Sequence, residues 1–211
     1  MEGKLITLEG IDGSGKSTQM RMLAEELRLR KFDVVTTMEP GGTSLGRRLR
    51  QAFLETTENV SPRAELLLFA ADRAQHVDFL IRPSLNEGKI VISDRFADAT
   101  FAYQGAGRGF PPETVNEVIL LATDGLKPDL TIFLDLPVDK AIGRAGNRTG
   151  NNRMDSENAA FYERVRNAYL EISKREPERF KVLPAAESRE AIHSRVVDLV
   201  VGFLSKERAV V

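Results

Sequence analysis

A chain of 211 residues suits a single domain over 1–211 and is long enough to bury a proper core. Its 30 basic and 31 acidic residues leave a net charge of −1, so there is no electrostatic case for nucleic acid as a partner. The absence of cysteine excludes disulfides, thiolate metal sites and cysteine nucleophiles, and no apolar run approaches the ~20 residues that span a bilayer. The first residues enter a strand at once, which leaves no room for a signal peptide, and a cytoplasmic protein with no membrane partner is expected.

Leu5-Ile6-Thr7-Leu8-Glu9 is short, apolar and β-branched, the signature of a buried strand. Gly10-Ile11-Asp12-Gly13-Ser14-Gly15-Lys16-Ser17-Thr18 follows and fits G-x-x-x-x-G-K-[ST]. Behind it Met20, Leu23, Ala24 and Leu27 stripe a helix. Strand, glycine loop and helix together are the context in which the motif means phosphate binding. Gly10, Asp12, Gly13, Ser14, Gly15 and Thr18 shape a cradle of inward backbone N–H groups at a helix N-terminus. Lys16 would reach the β- and γ-phosphates, and the Ser17 hydroxyl would sit on Mg²⁺. The chain is expected to bind a nucleoside triphosphate.

Asp33–Thr37 reads as a second strand, ended by Glu39-Pro40-Gly41-Gly42. Thr43 and Ser44 offer caps for a helix carrying Leu45, Leu49 and Phe53, and Ser61-Pro62 opens another that runs past Phe69 and Arg73 towards Leu85. Ile90–Ser93 is a strand followed by Asp94-Arg95-Phe96. Tyr103–Gly109 is too glycine-rich for regular structure and reads as a loop, and Pro111-Pro112 starts a further helix. Leu130–Asp135 is the fourth strand, with a helix from Val138 to Ala145. The polar stretch Gly146–Arg153 reads as a mobile surface loop, part of a small lid over about 146–155. Phe161 to Ile172 marks a helix, Lys181–Leu183 a fifth strand, and Ile192 to Phe203 the closing helix. The two histidines, His76 and His193, sit among charged residues and read as surface. Alternating strands and helices argue for an α/β fold with a parallel sheet covered on both faces. Ligands then bind at the strand C-termini, where Glu9, Glu39, Asp94 and Asp135 gather.

A phosphate loop alone does not separate switch, motor and kinase. Asn-Lys-x-Asp is missing, which disfavours a guanine-specific switch. Asp94 offers a carboxylate to hold Mg²⁺, and it is followed by Arg95 where a water-activating ATPase would want a glutamate. Transfer to an acceptor other than water is therefore favoured. Arg144, Arg148 and Arg153 flank or occupy the polar loop and are candidates to neutralise charge on a moving phosphoryl.

Glu39-Pro40-Gly41-Gly42-Thr43, Phe69-Ala70-Ala71-Asp72-Arg73, Asp94-Arg95-Phe96 and Tyr103-Gln104-Gly105 stand in the order and spacing of thymidylate kinases, and the chain resembles that family from Leu5 to the final helix. The resemblance implies the P-loop kinase fold, a five-stranded parallel sheet flanked by helices with a small lid, and phosphoryl transfer from MgATP to dTMP in a cytosolic homodimer. Position by position, it implies that Phe69 stacks on thymine and Arg73 bonds its edge. Arg50 and Arg95 would hold the acceptor phosphate, Glu39 and Pro40 would contact dTMP, Thr100 and Gln104 would line the base pocket, and Tyr103 would crowd the sugar C2′ position. Asp12 would contact the 3′-hydroxyl or the metal region, and Arg144 the adenine. Lys16, Arg95, Arg148 and Arg153 would be the catalytic charges, with Ser17 and Asp94 at the metal. The family often has arginine where this chain has Met38. Its phosphate loop carries no basic residue among the four variable positions, a trait shared with many bacterial members, so the catalytic arginine must come from the lid. Two alternatives stay open: a kinase for another nucleoside monophosphate, and an ATP-binding regulatory protein with no acceptor.

Overall fold

The computed structural model describes residues 2–145 and 153–209. Along the chain lie β1 (Lys4–Glu9), α1 (Lys16–Leu29), β2 (Val34–Met38), α2 (Ser44–Phe53), α3 (Pro62–His76), α4 (Arg82–Asn86), β3 (Ile90–Asp94) and α5 (Ala97–Thr100). They are followed by α6 (Pro112–Thr123), β4 (Leu130–Asp135), α7 (Val138–Ala145), α8 (Ala159–Arg175), β5 (Phe180–Pro184) and α9 (Arg189–Ala209). The sheet order is β2-β3-β1-β4-β5, with every pairing parallel.

Why β1 is central follows from its composition. All six of its residues are buried, and β3 and β4 are buried along all but their last residue. Edge strands β2 and β5 are only partly buried, two of five residues in each. Ile6 and Leu8 face a large core with Leu23 of α1 and Val196 of α9, while Leu5 joins Val77, Ile81, Val91 and Phe96 on the other side. Each face thus has its own apolar layer, and the strand C-termini are left to carry polar groups. Among the described residues, no helix is long and apolar enough to cross a membrane.

Two expectations are revised by helical geometry. The stretch expected as a loop at Tyr103–Gly109 is helical for most of its length: α5 widens into a π-helical turn over Phe101–Gly107. Glycine there serves packing, because a Cβ on Gly107 would stand 2.6 Å from the Phe161 ring of α8. The long helix expected from Ser61 towards Leu85 passes through a second π turn, Val77–Ile81, before α4. Pro83 lacks an N–H and its ring would press on the carbonyl one turn back, which the wider turn relieves. A third revision concerns His76, expected at the surface and in fact fully buried, and His193, which is half-buried. The core of the expected lid, with Arg148, lies outside the described residues.

Candidate active site

The loop between β1 and α1 is shaped by positive φ values, 147° at Gly10 and 86° at Gly13. A side chain is barred at both places for a second reason. A Cβ at Gly10 would stand 2.6 Å from Ser14 Oγ, and one at Gly13 2.6 Å from the Ala141 carbonyl. The loop ends at the α1 N-terminus, where unpaired N–H groups and the helix dipole favour an anion. Lys16 Nζ donates to the Gly10 and Ile11 carbonyls (2.9 and 3.2 Å), which occupies two of its three N–H donors. Burial, followed by the nearby Arg95, holds this ammonium below its usual pKa.

Directly across from this loop is the end of β3. Ser17 Oγ donates to Asp94 Oδ2 at 2.7 Å, so a hydroxyl and a carboxylate meet at the mouth of the cradle. Among the described residues, no group of three or more His, Asp or Glu could hold a metal ion by itself. One hydroxyl and one carboxylate suit a hard cation that keeps its waters and takes its remaining ligands from phosphate oxygens. Arg95, the next residue, has φ 73°, an uncommon left-handed backbone for a long side chain. Its Nη2 donates to Asp12 Oδ1 (3.2 Å) and Tyr103 Oη (3.1 Å), with the guanidinium 4.7 Å from the Tyr103 ring centre. Its Nη1 is buried and has no hydrogen-bond partner.

What holds this turn in place is Glu9, at the end of β1. The carboxyl accepts from Phe96 N at 2.8 Å and Tyr169 Oη at 2.7 Å, and burial, with Asp98 close by, pushes its pKa up to about 8. Sequence reasoning assigned Glu9 no such part. Asp135, which ends β4, is engaged by Arg166 at 2.6 and 3.0 Å.

A second, deeper cleft opens beside the phosphate loop. Its walls come from the loop itself (Asp12), the turn after β2 (Glu39, Pro40), α2 (Arg50) and α3 (Phe69, Arg73). The far side is made by Arg95, by Thr100 of α5, and by Tyr103 and Gln104 of the π turn. The ten residues expected around an acceptor nucleotide therefore share one cavity. Leu54, Ala99 and Met154 complete it, and sequence reasoning singled out none of them. Asp12, Glu39, Arg50 and Arg95 also line the neighbouring cleft over Lys16, Ser17, Thr18 and Asp94, so the two clefts join at those four side chains.

The polar wall of the deeper cleft is tightly bonded. Arg73 Nε donates to Glu39 Oε2 at 2.8 Å, Nη1 to Thr100 Oγ1 at 2.6 Å and Nη2 to the Phe96 carbonyl at 3.0 Å. His76 Nδ1 lies 2.9 Å from Glu39 Oε1, and its Nε2 2.7 Å from Thr37 Oγ1. Burial opposes ionisation of Glu39, but Arg73 and His76 outweigh it and hold the carboxyl below its usual pKa. This role for His76, 37 and 39 residues from its partners in sequence, replaces the surface position expected. Phe69 is half-buried against Phe53, edge to face at 4.9 Å, and still forms part of the wall. Arg50 turns into the cleft and donates to the Pro40 carbonyl at 3.1 Å, while Arg47 and Arg48 are exposed.

Two of the expected arginines are placed as follows. Arg144, at the end of α7, is exposed and donates to the Ala185 carbonyl just past β5 at 3.4 Å. Arg153, expected at the moving phosphoryl, donates to Glu65 of α3 through Nη2 and to the Phe53 carbonyl through Nε (3.2 Å).

Comparison with known proteins agrees with this geometry. The model of the family described as thymidylate kinase matches residues 8–196. The chain is 47% identical over 209 residues to a thymidylate kinase of Halothermothrix orenii, covering 98% of this chain and 100% of that one. It is 48% identical over 195 residues to one of Desulfovibrio desulfuricans, covering 89% and 90%. A solved thymidylate kinase from Ehrlichia chaffeensis superposes with a TM-score of 0.77 at 36% identity, over 93% of this chain and 97% of that one.

Proposed function

The chain belongs to the thymidylate kinase family, and on that premise we propose that it transfers the γ-phosphoryl group of ATP to dTMP, giving dTDP and ADP. One observation carries the reading to this chain's own residues. A cleft with an aromatic wall, lined by Phe69, Arg73 and Tyr103, opens at Asp12 and Arg95 directly onto a phosphate cradle.

In this reading thymine lies on Phe69 with its edge towards Arg73, Thr100 and Gln104, and Tyr103 crowds the sugar C2′ side. Asp12 meets the 3′-hydroxyl. The acceptor phosphate takes the unpartnered Nη1 of Arg95, with Arg50 beside it and Glu39-Pro40 forming the border. A phosphate oxygen is largely ionised at neutral pH, its second pKa being about 6, so no general base is required. Arg95 brings one anion towards another, and the work of the site is in-line positioning and neutralisation of charge. Lys16 turns its remaining N–H donor to the transferring group. Ser17 and Asp94 would hold Mg²⁺, which when bound neutralises charge on the β- and γ-phosphates. The adenine would rest by Arg144 and the segment after β5. Arg148 is proposed for the moving phosphoryl; Arg153, given its contacts, is proposed to anchor the base of the lid.

We further propose a cytoplasmic homodimer with no nucleic-acid or membrane partner. Leu67 of α3, Phe79 of the following turn, and Leu120 and Leu121 of α6 are exposed leucines and phenylalanine on neighbouring elements, which a second copy would cover. Sedimentation equilibrium tests that assembly, and a monomer at all concentrations would refute it.

The functional test is ADP release with MgATP against no acceptor, dTMP, dUMP, UMP, CMP, AMP and GMP. Fast turnover with dTMP, slower with dUMP and negligible with the ribonucleotides is expected. Preference for another monophosphate would overturn the assignment of the base pocket, and acceptor-independent turnover would overturn the kinase reading.

A further inference from the structure

Glu65 stands in the first turn of α3, away from the phosphate cradle, and its side chain is fully buried. It does not line the deeper cleft, yet it binds several parts of the wall behind it. Arg108 donates to it through Nε (3.1 Å) and Nη2 (3.0 Å), Arg153 through Nη2, and Gln104 through Nε2 (2.9 Å). We propose that Glu65 sets the polarity of the Gln104 carboxamide and so selects acceptor bases that carry a ring N–H, as thymine and uracil do, over bases that present a bare ring nitrogen at that position, as cytosine does. The inference rests on the acceptor pocket proposed above.

The physical argument begins with the charge on Glu65. Burial opposes its ionisation, but Arg108 and Arg153 outweigh that penalty and keep it a carboxylate. An ionised carboxylate accepts hydrogen bonds and donates none. Gln104, itself almost wholly buried, can therefore meet it only through the amide nitrogen. Turning the amide over would set its oxygen against a buried anion with no donor between the two, a large penalty in a low-dielectric interior. With the nitrogen committed, the amide oxygen is the acceptor that Gln104 has for the cavity it lines. A base with an N–H at its pairing edge satisfies that oxygen, whereas a bare ring nitrogen faces it acceptor to acceptor. Glu65 touches no part of the nucleotide in this scheme, so it is a positioning residue that acts through Gln104.

The experiment compares dTMP with 5-methyl-dCMP, which differ only at the pairing edge, by calorimetric titration of the full-length protein and its variants. The unaltered protein is expected to prefer dTMP. In Glu65→Gln the neutral amide can donate as well as accept, so Gln104 is free to turn. The preference should then fall by roughly tenfold or more, through both weaker dTMP and stronger 5-methyl-dCMP binding. Glu157→Gln disturbs Arg108 from its other side, leaves both arginines and Gln104 on Glu65, and should keep the preference within about twofold. Gln104→Met keeps Glu65 paired with both arginines, so it provides a reading even if Glu65→Gln does not fold, and it should lower the preference by weakening dTMP alone. An unchanged preference in Glu65→Gln or Gln104→Met, or an equal loss in Glu157→Gln, overturns the proposal while leaving the pocket assignment standing. If the unaltered protein binds neither nucleotide, the acceptor pocket itself is refuted.

Discussion

The two ends of the joined cleft are built on different principles. At the base end, Arg73, Glu39, His76, Thr37 and Thr100 spend their hydrogen bonds on one another, as do Glu65, Gln104, Arg108 and Arg153. At the phosphate end, charges are held in reserve: Arg95 keeps a buried Nη1 without a partner, and Lys16 rests on the carbonyls of its own loop. Recognition of a flat heterocycle rewards groups fixed beforehand, because each mispaired buried donor or acceptor penalises the wrong base. Phosphoryl transfer rewards charge that is present but uncommitted until the anion arrives. Function at one end rests on bonds already made, and at the other on bonds withheld.

Substitutions can break or sharpen that division. Lys16→Met should lower kcat by about 10²–10³-fold with little change in dTMP affinity, since one preorganised donor to developing charge is lost. Single-turnover kinetics beside dTMP titration would show it, and a change confined to affinity would move Lys16 out of the phosphate end. Arg73→Met should cost about 3–5 kcal/mol of stability, because it strands Glu39 as a buried anion. Urea unfolding measures this, and a loss well under 1 kcal/mol would mean that the base end is not built in advance. Phe69→Ala should raise the KM for dTMP about tenfold and leave that for ATP unchanged, the expected effect of losing one stacking surface. Arg153→Ala should raise the KM for dTMP more than it lowers kcat; a thousandfold fall in kcat at constant KM, the size of effect a transition-state arginine has, would return Arg153 to the transferred phosphoryl.

The smallest effect concerns Glu9, beneath the junction of the two ends. Its folded pKa of about 8 lies above the 4.5 of a free carboxyl. Between those values the folded chain holds a proton that the unfolded chain has released, so this group makes stability fall as pH rises through that window. Glu9→Gln cannot ionise and should flatten the fall, as read from urea midpoints at about pH 5 and about pH 8. An unchanged slope would show that Glu9 is ionised in the folded protein.

Much of this arrangement is legible in the chain. Strands buried on both faces read as continuous apolar runs, and β1, β3 and β4 are of that kind. The phosphate loop is local in sequence, so its pattern survives intact. Nine of the ten acceptor residues lie at a strand end or within one helical turn of a recognisable motif; Arg50 lies two turns into α2. What escaped is non-local or geometrically unusual. The partners of His76, Thr37 and Glu39, come from β2 and the turn after it, and their pairing leaves no periodic trace. The bonds of Glu65 to Gln104, Arg108 and Arg153 join three separate stretches. A π turn at Phe101–Gly107 has no signature in 3.6-residue periodicity, so its glycines read as a loop although they serve close packing on Phe161.

The central place of β1 has a bearing on how the chain is made. Leu5 pairs with Val91 on one edge and Ile6 with Leu130 on the other, so β1 is flanked on both sides only after both later strands have left the ribosome. At ordinary synthesis rates that wait is on the order of ten seconds, during which an apolar segment with two open edges is exposed to association with other chains. Parallel pairing across such separations also slows folding, because loop closure precedes any contact that rewards it. The phosphate cradle, translated ahead of β3 and β4, is held by a complete sheet only once both have joined β1.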